Sequence, residues 1–224
     1  MAKGASGGRR GGVAKGELTL PDGTKIEFDG ELRYGGKDAA VPDAVREKLD
    51  AWETNRYKNK IEYAMAWNED GEELGKESRG GNGSVKSPYS YHSTPNSIFS
   101  HNHPRGEGML GGTFSDDDLR NFANGNNKTM RATAKEGTYS ISRGKNFDAD
   151  GFKQHVSKSH NDFVKAGRTS KDKIQSDYND GKITYEQATL KLAKDFNSRL
   201  VSLHQSYLDG QKKYGYKYTL EKRG

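Results

Sequence analysis

The sequence predicts an α/β protein, a mixed β-sheet flanked by helices with a helical C-terminal extension. Three observations predict it. Between Glu17 and Ser142, apolar residues recur at every second position in short runs bounded by Gly, Pro, Asn and Asp, the period of a half-buried strand. Helix-start signals at Pro42-Asp43 and Ser115-Asp116 fall among those runs. From Phe152 to Tyr207 the apolar period lengthens to three or four residues, that of an amphipathic helix.

The elements follow in order. Residues 1–16 (MAKGASGGRRGGVAKG) are glycine-rich, basic and nearly free of apolar side chains, so they bury too little surface to offset the entropy of ordering. They are expected to form a disordered tail, with weak nucleic-acid binding as a second role. Residues 17–32 read as a hairpin, with Leu18 and Leu20 alternating before the turn Pro21-Asp22-Gly23, and Ile26 and Phe28 after it. Asp43 to Arg56 is a helix with Val45, Leu49 and Trp52 on one face. Ile61, Tyr63, Met65 and Trp67 alternate with Glu62, Ala64 and Ala66 in a strand, which Asn68-Glu69-Asp70-Gly71 turns back. Residues 78–96 are a polar Gly/Ser/Pro loop, with His92 as an ordinary loop histidine. Ser97 to Ser100 is the strand that leads into His101. Asp116 to Ala123 is a short helix. Thr129–Thr133 and Thr138–Ser142 are strands joined at Glu136-Gly137, with Tyr139 and Ile141 on one buried face. Helical spacing covers 152–166, continues over 169–180 to Gly181, and covers 184–207 with Gly210 beyond it. Tyr214 to Leu220 is a last strand. His155, His160 and His204 occupy helical packing or surface positions. The domain division expected is thus a tail at 1–16, a main α/β domain at 17–147 and a helical extension ending in a short strand at 148–224.

Composition narrows the chemistry. Of 224 residues only 30% are hydrophobic and 28 are glycine, so one modest core with substantial loops is expected. Cysteine is absent, which excludes disulfides and thiolate metal sites, so any metal must be held by His and carboxylate. No apolar run is long enough to span a bilayer and no apolar secretory core is visible near Met1, so the expected location is cytoplasmic, or host cytoplasm or virion for a phage-encoded chain. A net charge of +6 admits acidic partners without marking a decisive basic stripe.

The chemistry concentrates in residues 99–119, FSHNHPRGEGMLGGTFSDDDL. His101 and His103 are two apart, so on a strand both imidazoles aim to one side, as two ligands of one metal must. Pro104 ends the strand because it lacks a backbone donor. A glycine-rich loop follows, and then Ser115 as helix N-cap with acids in the first turn. Asp118, one turn into that helix, can face the histidines, with Asp116 and Asp117 as alternatives. Two histidines and one carboxylate leave a fourth zinc position open, the pattern of a catalytic site.

The pattern H-x-H-P, a loop, then S-x-x-D resembles the JAMM motif of the JAB/MPN zinc metallopeptidases, and His101-Asn102-His103-Pro104 resembles its RadC-like branch. The resemblance covers Glu62 to Leu119. The chain departs from the family in having a longer, glycine-rich segment between His103 and Ser115. The HNH nucleases share those three letters but spread their catalytic residues over a longer ββα unit, which is not seen here. The resemblance implies a JAB/MPN-like (deaminase-like) fold and zinc held by His101, His103 and Asp118. It implies Glu62 as general base, being the acid on an earlier strand, with Glu69, Glu72, Glu73 and Glu77 as alternatives. Ser115 would donate to the developing oxyanion, alongside its capping role. The implied reaction is hydrolysis of a peptide or isopeptide bond in a protein or peptide substrate, by an enzyme that a phage or mobile element could encode. The alternatives are a RadC-like DNA-associated protein and a non-catalytic phage structural or assembly protein.

Overall fold

The computed structural model describes residues 15–88, 94–106 and 108–223. It is a mixed α/β structure with a six-stranded sheet, a separate two-stranded hairpin and four helices. The hairpin is β1 (Lys15–Thr19) and β2 (Lys25–Asp29), antiparallel, with Leu20 N–H donating to Thr24 O across the expected turn. The expected tail lies outside the described residues up to position 14, and Lys15 and Gly16 already belong to β1.

The main sheet comprises β3 (Tyr63–Trp67), β4 (Ser78–Arg79), β5 (Ile98–Asn102), β6 (Thr129–Ala134), β7 (Gly137–Arg143) and β8 (Tyr216–Glu221), in the order β4-β3-β5-β6-β7-β8. Only β5 and β6 run parallel, and α2 (Asp116–Asn124) lies in the connection between them. One layer above the sheet is α1 (Asp43–Arg56), whose Val45 and Leu49 pack on Met65, Trp67 and Ile98. The opposite face carries α2, α3 (Ala149–Asn179) and α4 (Tyr185–Tyr214), with Phe122, Phe152, Val156, Leu203 and Tyr207 on Phe99, Met130, Tyr139 and Tyr218. The hairpin packs on α4 through Phe28, Leu200 and Val201.

Several boundaries differ from expectation. Ser78 and Arg79 form a short edge strand instead of starting a loop, pairing with Ala64 and Tyr63. Residues 152–166 and 169–180 belong to one helix, α3. Gly210 lies inside α4 rather than beyond it: a Cβ there would meet the Tyr216 hydroxyl at 2.4 Å, so the glycine permits close packing and does not break the helix. The break comes at Gly215, whose φ of 68° only glycine adopts without cost. On β7 both faces are buried, not one, because Thr138, Ser140 and Ser142 face a polar cluster under α1. The last strand is Tyr216–Glu221 rather than Tyr214 to Leu220, and as β8 it borders β7, so the 148–224 segment contributes to the main sheet and core.

Under α1, Arg131 donates to Glu53 Oε1 from Nε at 2.7 Å and to Glu221 Oε1 from Nη1 at 2.8 Å, while Nη2 reaches both carboxylates at 3.0 Å. Ser100 and Thr138 hydroxyls donate to Glu53 at 2.8 and 2.9 Å, and the Asp38 N–H donates to Glu221 at 2.7 Å. All three charged residues are buried, and the two carboxylates hold the guanidinium in its charged form against the cost of burial.

Candidate metal centre

His101 lies on β5 between Ala64 of β3 and Ala132 of β6. Both neighbours are fully buried alanines, so the sheet leaves room above this position for an imidazole and whatever it binds. His103 follows past the strand end, with its N–H donating to Thr133 O. The two rings meet edge to face, with Nε2 atoms 2.9 Å apart. Asp118 Oδ2 lies 3.4 Å from His101 Nε2 and 3.5 Å from His103 Nε2. The helix start sets its place: Ser115 caps α2, accepting from Asp118 N–H at 3.1 Å, while the Ser115 N–H and hydroxyl donate to Asp118 Oδ2 at 2.8 and 2.6 Å. That hydroxyl hydrogen is committed to Asp118, so donation to an oxyanion requires this contact to break.

The three donor atoms fit a single ion. Ligands about 2.0–2.2 Å from a tetrahedral zinc lie roughly 3.3 Å from one another, and the observed triangle has sides of 2.9, 3.4 and 3.5 Å. The donor set, two imidazole nitrogens and a carboxylate oxygen, is the kind zinc takes at catalytic sites. Of the three acids in the first turn, Asp118 is the one that joins the cluster. Asp116 instead turns to Arg120 and Ser157, and Asp117 lines the cavity beside it. Burial pushes the Asp118 carboxyl up, but the charges and hydrogen bonds of His101 and His103 hold it well below the usual carboxylate range.

Glu62 lines the same cavity of about 450 Å³ as His101, His103 and Asp118. It sits immediately before β3 rather than within it, and is only 8% exposed. Burial pushes its carboxyl above the usual range, with Asp118 adding to the rise and His103 and Arg105 opposing it. The alternatives Glu69 and Glu77 pair elsewhere, with Lys128 and Arg56. Two contacts around Glu62 escape sequence reasoning. Asn102, between the histidines, accepts from Tyr63 N–H at 2.6 Å and donates to Ile61 O at 2.9 Å, gripping the chain on both sides of Glu62. Glu62 itself exchanges backbone hydrogen bonds with Gly80 and Gly81 beyond β4. The middle residue of His-Asn-His, with a donor and an acceptor on one short side chain, was the available signal.

The far wall of the cavity is apolar and comes from the C-terminal helices: Phe163, Phe196, Leu200 and Leu203. Arg199 stacks on both rings, its guanidinium 4.6 Å from the Phe163 centroid and 5.9 Å from that of Phe196, and donates to Asp195 at 2.8 Å. His92 lies outside the described residues. His155 and His204 are packed away from the cluster, bonded to Ser206 O and to Tyr218 and Arg33, while His160 borders the cavity without joining the donors. No helix among the described residues is long and apolar enough to cross a membrane. No family model matches the chain, and neither a curated protein nor a solved structure does.

Proposed function

We propose that the chain is a zinc-dependent metallopeptidase or isopeptidase of JAB/MPN type, RadC-like in its His-Asn-His-Pro segment, that hydrolyses an amide bond in a protein or peptide. The observation that carries this reading is the triangle of His101, His103 and Asp118 donors in a cavity that also holds a buried Glu62. Zinc at these donors would make a water molecule acidic enough to ionise near neutral pH and would polarise the amide carbonyl. Asp118 is kept ionised by His101 and His103 and aimed by the Ser115 cap. Glu62 takes the proton of the attacking water and returns it to the leaving amine, a task that suits a carboxylate whose proton affinity burial has raised. Leu200 and Leu203 line the same cavity as the donors, an apolar surface beside which charge interactions are stronger than in water.

The test uses the full chain reconstituted with zinc. About one zinc per chain is expected, and a peptide library followed by mass spectrometry reports cleavage. Glu62→Gln keeps the zinc and lowers the cleavage rate by roughly 10²–10⁴-fold, because a neutral amide cannot act as base. A chain that takes up no zinc, or a variant as active as wild type, counts against the assignment.

A further inference from the structure

Residues 108–113 have no strand or helix to hold them, yet four consecutive ones, Leu110 to Thr113, are gripped by side chains from elsewhere. Leu110 N–H donates to Asn197 Oδ1 of α4 at 2.9 Å, and Asn197 Nδ2 donates back to Gly108 O at 3.0 Å. Gly111 and Gly112 N–H donate to the two oxygens of Glu136, in the β6–β7 turn, at 2.8 and 3.1 Å. Tyr139 donates to the same carboxylate at 2.9 Å. Thr113 Oγ1 shares a hydrogen bond with the Tyr218 hydroxyl at 2.7 Å. The loop is also fitted to its seat. Gly112 has φ 100°, and a Cβ on Gly111 would meet Ala134 Cβ at 2.3 Å.

What the grip delivers is one carbonyl. Gly112 O lies 3.2 Å from His103 Nδ1. A carbonyl can only accept, so this contact places the ring proton on Nδ1 and turns the Nε2 lone pair toward His101 and Asp118. Partners of this kind fix the tautomer and orientation of a metal-binding histidine, and their loss weakens metal affinity roughly 10–100-fold. We infer that Glu136 is a positioning residue for the metal ligand His103, acting through Gly112, with Asn197 holding the other end of the same loop. This rests on the zinc reading of His101, His103 and Asp118. It adds to that reading a dependence of zinc affinity on a carboxylate outside the donor set.

Glu136→Gln tests it. The amide keeps the shape of the side chain but turns one acceptor into a donor facing a backbone N–H. In a zinc competition assay against a chromophoric chelator the variant is expected to bind roughly 10–100-fold more weakly than wild type. The visible spectrum of the cobalt-substituted variant should shift, which a purely structural role would not cause. Tyr139→Phe, which removes a neighbour of the same carboxylate and leaves both loop contacts, should bind zinc as wild type does. A folded Glu136→Gln with wild-type zinc affinity and an unchanged cobalt spectrum overturns the inference. Should that variant not fold, nitrogen-15 correlation spectra of wild type decide: His103 protonated on Nδ1 supports the inference and protonation on Nε2 overturns it. A wild type that takes up no zinc in the same assay sinks the reading of the site instead.

Discussion

Ser100 and His101 are adjacent on β5 and serve opposite polar clusters. Ser100 faces α1 and donates to Glu53 in the Glu53–Arg131–Glu221 cluster, while His101 faces the helical layer and joins His103 and Asp118. Both clusters are largely buried, but the first gathers residues from distant parts of the chain and the second from one short stretch. They differ in what they leave unmatched. Around Arg131, N–H groups and carboxylate oxygens answer each other, with Arg46 adding a second cation 3.8 Å from Glu221. Around Asp118, two imidazole nitrogens and a carboxylate oxygen lie within 3.5 Å of one another beside a cavity. A cluster that satisfies itself holds the sheet together, whereas one whose donor atoms converge on a common point could hold an ion.

The largest effect that would sharpen this contrast is in the closed cluster. Arg131→Met leaves two buried carboxylates without their partner and should cost about 3–5 kcal/mol in urea unfolding, with zinc stoichiometry unchanged in the folded fraction. Its mirror, Asp118→Asn, should abolish zinc uptake while moving stability little, since an amide oxygen can still accept from the Ser115 N–H. If both variants lose stability equally and keep zinc equally, the contrast is wrong.

His204 supplies an intermediate effect. Burial lowers its pKa to about 4; its ring contacts are the Tyr218 hydroxyl, the Arg33 carbonyl and the Tyr139 ring. The unfolded chain takes up this proton near pH 6.5, the folded one only near pH 4. Stability is therefore full above pH 6.5 and declines as the pH falls toward 4, by about 3 kcal/mol for this group. His204→Gln should lose less stability than wild type between pH 7.5 and 4.5; an identical loss would show that the histidine is not responsible. The smallest effect belongs to the cap. Ser115→Ala should cost about 1 kcal/mol in stability, and because Ser115 also orients Asp118, it should weaken zinc binding as well, measurable by chelator competition.

The two clusters were unequally legible in the sequence. His101, His103, Ser115 and Asp118 fall within one short stretch whose local structure, a strand end and a helix start, can be argued residue by residue. Glu62 could be placed on the correct face by alternation with Ala64 and Ala66, though not by distance. Glu53 falls four residues after Leu49 on the buried face of α1, but spacing alone does not name the partner of a buried acid. Its partner Arg131 is 78 residues away and Glu221 another 90 beyond that, and no periodicity reports such a meeting. Glu136 read as a turn residue for the same reason. Asn197 and His204 did leave a trace: with Ala193 and Leu200 they occupy the buried stripe of α4 at helical spacing, where a polar side chain needs a specific partner. The strands were legible because alternation is local. The length of α4 was not, because Gly210 is there for a neighbour that arrives later in the chain.

The place of β8 in the sheet sets an order of assembly. It borders β7, brings Glu221 to Arg131, and carries the Tyr218 hydroxyl that meets Thr113. Glu53 and Arg131 are made before the strand that completes their surroundings and braces the His103 loop, which follows β6 by more than 80 residues. Pairings this far apart in sequence close slowly, so the segment that carries His101, His103 and Asp118 is made before the strand that supports it and stays without that support until β8 pairs with β7.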